Sequence, residues 1–169
     1  MILIRDAVPA DAAFILPIHN RAVRETTAVW NEAESDLAGR EAWLAGRANA
    51  GFPVLVAEID GAVAGYASYG DFRAWEGYRL TVEHSVYVAS DRQGRGIGRA
   101  LLTALIERAR RAGKHAMIAG IEGGNAGSIA LHTSLGFVEV GRLPQVGAKF
   151  GRWLDLVFLQ LLLDDRAAP

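Results

Sequence analysis

The 169 residues contain no cysteine, five prolines, two methionines and almost no net charge, at −1 with 18 basic against 19 acidic side chains. Without cysteine there are no disulfides, no thiolate metal ligands and no cysteine nucleophile. Balanced charge provides no sequence-wide basic field, so neither nucleic acid nor an anionic membrane is an expected partner. No apolar run reaches the roughly 18 residues of a spanning helix; the tail from Trp153 to Leu163 is broken by Asp155 and Gln160. Met1 to Asp6 lacks the regions of a signal peptide, and a cytoplasmic location is expected. Four histidines scattered without metal-ligand spacing argue against a metal site. The length suits one domain, residues 1–169, without internal repeats.

The chain is organised around Thr81 to Gly113. The stretch from Thr81 to Val88 is apolar and rich in β-branched residues, which predicts a strand. Gln93-Gly94-Arg95-Gly96-Ile97-Gly98 follows. Leu101, Leu102, Leu105, Ile106 and Ala109 then recur at helical spacing, with arginines mostly on the other side. Strand, glycine-rich turn and helix start together make an anion site, because glycine permits close backbone approach and the first helical amides lack intrahelical acceptors. Arg95 and Arg99 add positive charge. A P-loop is excluded because Gly98-Arg99-Ala100 stands where Gly-Lys-Ser/Thr is needed. A dinucleotide fingerprint is excluded because its third glycine would fall on Arg99.

Around this centre, Ile2 to Ile4 predicts a strand. Asp11 is placed to cap a helix running to about Val23, with Pro17 able to bend it, and residues 25–34 read as a loop. Asp36 to Ala48 predicts a second helix. Val54 to Ile59 and Ala62 to Tyr69 flank Asp60-Gly61, a strong hairpin signal. His115 to Ile121, Val138 to Leu143 and Trp153 to Leu161 predict strands, and Ala126 to Leu135 a short helix. Pattern alone gives a mixed α/β domain. Val157 to Leu163 is more apolar than an edge strand should be, which points to pairing of two copies.

Gln93, Gly96 and Gly98 resemble the acetyl-CoA motif Gln/Arg-x-x-Gly-x-Gly/Ala of the GCN5-related N-acetyltransferase (GNAT) superfamily. Asn125, Ala130, His132 and Gly136-Phe137 resemble its second cofactor segment. Thr81 to Val88, the Arg73 loop, Thr26 to Trp30 and Lys149 to Asp155 are similar to the phosphinothricin and methionine sulfoximine acetyltransferase branch. The resemblance implies a mixed, mostly antiparallel sheet with helices on both faces and strands splayed at the acetyl-CoA site. It implies acetyl transfer from acetyl-CoA, without a metal, to the α-amino group of a small amino acid.

Glu83 is then the expected general base, since burial on an apolar strand raises a carboxylate's pKa. His132 is the expected donor to the leaving thiolate, sharing a helix face with Asn125, about two turns away. Val86, Tyr87, Val88, the run Gln93 to Arg99 (Gln93, Gly94, Arg95, Gly96, Ile97, Gly98, Arg99), Asn125 and Ser134 are expected to hold the cofactor. Trp30, Phe72, Arg73, Trp75, Glu83, His84 and Lys149 are expected around the substrate. Arg73 suits the α-carboxylate, and His84 reads as either structural or cavity-lining. Related enzymes dimerise, which would place Lys149 at a partner's cavity. The other readings are a non-catalytic CoA sensor and an acetyltransferase for protein N-termini or polyamines.

Overall fold

Alternation of apolar and polar residues, interrupted by glycine turns, produces a seven-stranded sheet in the computed structural model, which describes residues 1–169. In chain order the elements are β1 (Leu3–Asp6), α1 (Ala12–Glu25), α2 (Leu37–Asn49), β2 (Val54–Ile59), β3 (Ala62–Asp71), β4 (Thr81–Val88), α3 (Ile97–Arg111), β5 (Ala116–Glu122), α4 (Ala126–Thr133), β6 (Val138–Lys149) and β7 (Arg152–Leu162). The strands lie in the order β1-β2-β3-β4-β5-β7-β6. The β4–β5 pair is parallel, while β1–β2, β2–β3, β5–β7 and β6–β7 are antiparallel. The expected mixed, mostly antiparallel α/β sheet is what forms.

The chain packs as two units, Met1–Tyr69 with Ser85–Leu105, and Gly70–His84 with Ile106–Pro169. In the first, Ile15 of α1 and Leu44 of α2 pack on Val54, Val56 and Tyr66 of β2 and β3. Gly65 alternates with Tyr66 and meets the other helix: a Cβ there would stand 2.7 Å from the Tyr87 carbonyl oxygen and 3.2 Å from Leu101. Helices therefore cover both faces of this part of the sheet. Asp60 and Gly61 both have positive φ, 52° and 79°, the paired left-handed geometry of a two-residue hairpin.

In the second unit the β4–β5 register covers three pairs, from Thr81↔Ala116 to Glu83↔Ile118. The β5–β7 register covers seven. Phe150 and Gly151, again both at positive φ, turn β6 into β7. No helix is long and apolar enough to cross a membrane.

Three local expectations are corrected. Asp11 does not cap α1 with its side chain; it accepts two bonds from the Arg5 guanidinium at 2.7 and 3.0 Å and one from the Val8 amide. The charged fork of Arg5, which belongs to β1 itself, outcompetes the helix amides for that carboxylate. The penultimate strand extends well beyond Leu143, to Lys149, carried past Pro144 by an irregularity in the pairing between Leu143 and Gly147. Val157 to Leu163 is not an edge: β7 lies between β5 and β6, and its apolar run is that of an interior strand, so the exposed sheet edge belongs to β6.

Candidate active site

Alternation along β4 sends consecutive side chains to opposite faces. Glu83 pairs with Ile118 and shares its face with Gly120 and Phe158. A Cβ on Gly120 would lie 3.0 Å from Glu83 Oε1. Gly120 is solvent-exposed although Ala116, Met117, Ile118 and Ala119 before it are buried. The missing side chain leaves a gap in the sheet surface beside the carboxylate. Sequence reading passed over Gly120; a glycine inside an otherwise apolar strand was the signal that it was there.

Glu83 is half-buried, and desolvation raises its pKa, opposed in part by the positive charge of Arg73. Arg73 itself lies on the loop after β3, its guanidinium 4.2 Å from the Phe72 ring centroid and Nη1 donating to the Phe72 carbonyl at 3.0 Å. Phe72 meets Tyr78 and Phe158 edge to face, at 5.7 and 6.3 Å. Trp75, 73 % exposed, packs against Tyr78 at 6.3 Å. One face of the second unit thus brings together a carboxylate of raised pKa, a guanidinium and aromatic walls. Phe158 and Tyr78 are the members sequence reading did not single out.

On the other face of β4, His84 stacks on His132 of α4, with centroids 5.0 Å apart and planes 11° apart. Phe137 closes the cluster. Both imidazoles are buried and burial lowers both pKa values, that of His84 to about 3, so both are neutral. Their tautomers follow. The Ser128 carbonyl can only accept, so His132 Nδ1, 2.7 Å away, is its donor. His132 Nε2 is then an acceptor, and His84 Nε2, at 3.2 Å, carries the proton between them. His84 Nδ1 is left as an enclosed acceptor without a partner. His132 has therefore no unused proton, and it lies across the sheet from Glu83. His84 is a packing residue of this pair rather than a neighbour of the carboxylate.

The glycine loop lies in the first unit. Gly94 and Gly96 have φ of 75° and 80°, and a Cβ on either would meet no protein atom within 4 Å. Backbone conformation, not crowding within the protein, is what calls for glycine here, and the open space above the loop fits a bound diphosphate. Gly96 accepts from the Ala100 amide, so α3 starts at Ile97, and the first amides of a helix point out of its N-terminus rather than to intrahelical acceptors. Gln93 and Arg95 are exposed and Ile97 is buried, anchoring the helix start. Val86, Tyr87 and Val88 form the partly exposed end of β4.

The remaining expected residues take local roles. Asn125 caps α4, its Oδ1 accepting from the Ser128 amide at 3.1 Å. Ser134 ends that helix, its hydroxyl donating to the Leu131 carbonyl at 2.6 Å. Trp30, on the connection between α1 and α2, donates to the Thr27 carbonyl. Lys149, expected at a partner's cavity, is instead 1 % exposed within its own chain, its Nζ 4.8 Å from the Phe150 ring. No three His, Cys, Asp or Glu side chains are grouped to hold a metal ion.

The raised pKa of Glu83 has a sign in stability. A carboxyl that holds its proton to higher pH when folded contributes stability below its unfolded value near 4.5, and loses it as pH rises through the folded value. Glu83→Gln is expected to melt above the wild type at pH 7 and together with it at about pH 4. Calorimetric melts at both pH values check this; a less stable variant at pH 7 contradicts it.

The Acetyltransferase (GNAT) family profile matches residues 15–137. A curated relative, the L-methionine sulfoximine/L-methionine sulfone acetyltransferase of Pseudomonas paraeruginosa PA7, is 61 % identical over 168 residues, 98 % of each chain. The acetyltransferase YncA of Salmonella typhimurium, solved with acetyl-CoA, superposes with a TM-score of 0.97 at 56 % identity, over 99 % of this chain and 97 % of that one. A ribosomal-protein-alanine N-acetyltransferase structure from Brucella melitensis gives 0.94 at 59 % identity, over 95 % and 99 %. With the glycine loop at the start of α3 and Glu83 on β4, these likenesses establish that the chain belongs to the Acetyltransferase (GNAT) family.

Proposed function

We propose that this protein acetylates the α-amino group of a small free amino acid with an oxidised sulfur or phosphinate side chain, of the methionine sulfone, methionine sulfoximine or phosphinothricin type, with acetyl-CoA as acetyl donor. The observation that carries the reading is Glu83, half-buried at the Gly120 gap with Arg73's charge acting on it. The relative named for methionine sulfoximine and sulfone supports the substrate class.

Acetyl-CoA supplies an activated acyl group as a thioester. The positive-φ glycines 94 and 96, the N-terminus of α3, and Arg95 and Arg99 suit its diphosphate. The main chain of Val86, Tyr87 and Val88, at the partly exposed end of β4, is the proposed source of hydrogen bonds to the pantetheine arm and of a donor for oxygen charge that develops at the carbonyl. At neutral pH the acceptor arrives as an ammonium and must lose a proton before its nitrogen has a lone pair to attack with. Glu83, its carboxylate made more basic by burial, takes that proton directly or through one water. Arg73 offers a planar fork to the α-carboxylate. The departing thiolate takes its proton from water, because both ring nitrogens of His132 are engaged.

The likeness to a ribosomal-protein-alanine acetyltransferase favours a second reading, a peptide N-terminus as acceptor. One experiment separates the two. Arg73→Lys should raise KM for L-methionine sulfone at least tenfold and leave KM for its carboxamide nearly unchanged, because only the acid has a paired charge to lose. Glu83→Gln should lower kcat for both by about 100-fold at neutral pH. Equal effects of Arg73→Lys on acid and amide, with peptides the better acceptors, would replace the free amino acid by a protein substrate.

The proposal includes a homodimer. Its contact is moved from β7 to β6, the true sheet edge, where Val138, Val140, Leu143 and Val146 are exposed beside Trp153 of β7. An apolar edge of this length is one that soluble proteins ordinarily cover. Light scattering at micromolar concentration is expected to give the dimer mass; a monomer mass contradicts the assignment.

A further inference from the structure

Arg40, on α2 in the first unit, is 7 % exposed. Burying a guanidinium without an anion is costly, and buried charges are ordinarily paired. Arg40 is absent from the ion pairs that engage Arg5, Arg21, Arg24, Arg92, Arg110, Arg142 and Arg166. Its Nε is enclosed and meets no acceptor. The guanidinium does lie over Trp43, 4.8 Å from the ring centroid. Stacking of that kind covers one flat side and leaves N–H groups in the guanidinium plane unanswered.

The neighbouring polar side chains do not answer them. The positive charge of Arg40 acts on His19, Tyr66 and Tyr87, in each case against the protonated imidazole or in favour of the phenolate. His19 Nδ1 lies 3.3 Å from the Tyr66 hydroxyl. Burial lowers the His19 pKa to about 4, so the imidazole is neutral near pH 7. A neutral imidazole and a phenol together bring one N–H and one O–H, and the bond between them uses one of the two. Whichever tautomer is present, a donor is left over. The Arg40 Nε–H without an acceptor and this remaining donor call for a group whose oxygens only accept and carry negative charge.

We infer that Arg40 anchors a binding subsite in the first unit for a single oxyanion, a carboxylate or a group of similar charge and shape, with the His19–Tyr66 pair as a second donor. The subsite uses neither Glu83 nor Arg73, which lie in the second unit. It stands apart from the acetyl-transfer reading, since anion binding needs no turnover.

Thermal melts of the full chain without acetyl-CoA test the subsite, with sodium chloride at matched ionic strength as reference. The probes are sodium sulfate, L-methionine sulfone, and the amine that remains when its carboxyl group is removed. Arg40→Met keeps the side-chain length and removes the charge. The wild type should show a saturable rise in Tm with an oxyanion probe. Arg40→Met should melt at or above the wild type in the reference buffer, because an unpaired buried charge has gone, and should lose the saturable rise. General salting effects are common to both proteins and cancel in the comparison.

An equal rise with sulfate and methionine sulfone that Arg40→Met abolishes assigns the subsite to a free anion, and a rise with methionine sulfone alone that Arg40→Met abolishes assigns it to that amino acid's charged oxygens. A rise that Arg40→Met retains belongs to the Arg73 site and overturns the inference. Calorimetry on the wild type and on Arg40→Lys provides a second measure should the methionine variant fail to fold: the lysine variant should bind the effective probe about tenfold more weakly, having lost the fork. The inference is overturned if no probe binds saturably to the wild type. It is equally overturned if Arg40→Met melts well below the wild type with an unchanged response to anions, which would make Arg40 a packing partner of Trp43.

Discussion

A carboxylate held partly out of water on an apolar strand is the constraint from which the rest of the site follows. Desolvation raises the pKa of Glu83, and the glycine at position 120 keeps a gap in front of the carboxylate that any side chain would narrow. Such a group is costly to keep, and perturbed carboxylates of this kind cluster where a charge has a task; the task proposed for this one is the removal of a proton from an incoming ammonium. Arg73 limits the shift. A guanidinium whose charge reaches the carboxylate and whose plane rests on Phe72 opposes the desolvation and favours the ionised form.

The opposite face of β4 obeys a different rule. His84 and His132 are held neutral in one hydrogen-bonded line that starts at the Ser128 carbonyl, and with Phe137 they bind α4 to the sheet. The two-residue period of the β conformation therefore places a half-buried carboxylate on one side of a single strand and a packed histidine pair on the other. Further along the chain, glycines at positive φ lead into α3 and leave open space above the loop, which suits the anion site proposed there.

Much of this was legible in the residues. The hairpin at Asp60-Gly61 and the strand, turn and helix from Thr81 to Gly113 both rest on local patterns, which report neighbours close along the chain. What stayed hidden depends on contacts between distant segments. His84 and His132 are 48 positions apart, and spacing on α4 alone could not show that the ring of His132 turns to a second histidine. The apolar run in β7 was read as an exposed edge because periodicity does not distinguish a strand that needs a partner from one that already has two. Helical spacing does not set Arg40 apart from the other charged residues of α2; its burial against Trp43 is visible only in three dimensions. Gly120 carried its signal in plain view, yet its meaning depends on the carboxylate of the neighbouring strand.

The most direct measurement is the titration of Glu83 itself, by carbon NMR of the protein labelled at glutamate side-chain carboxyls, with the Glu83→Gln spectrum identifying the resonance. The account predicts a midpoint clearly above the ordinary glutamate value near 4.5, moving higher still when Arg73 is replaced by an uncharged residue. A midpoint at or below that value, unmoved by the loss of Arg73, would contradict it.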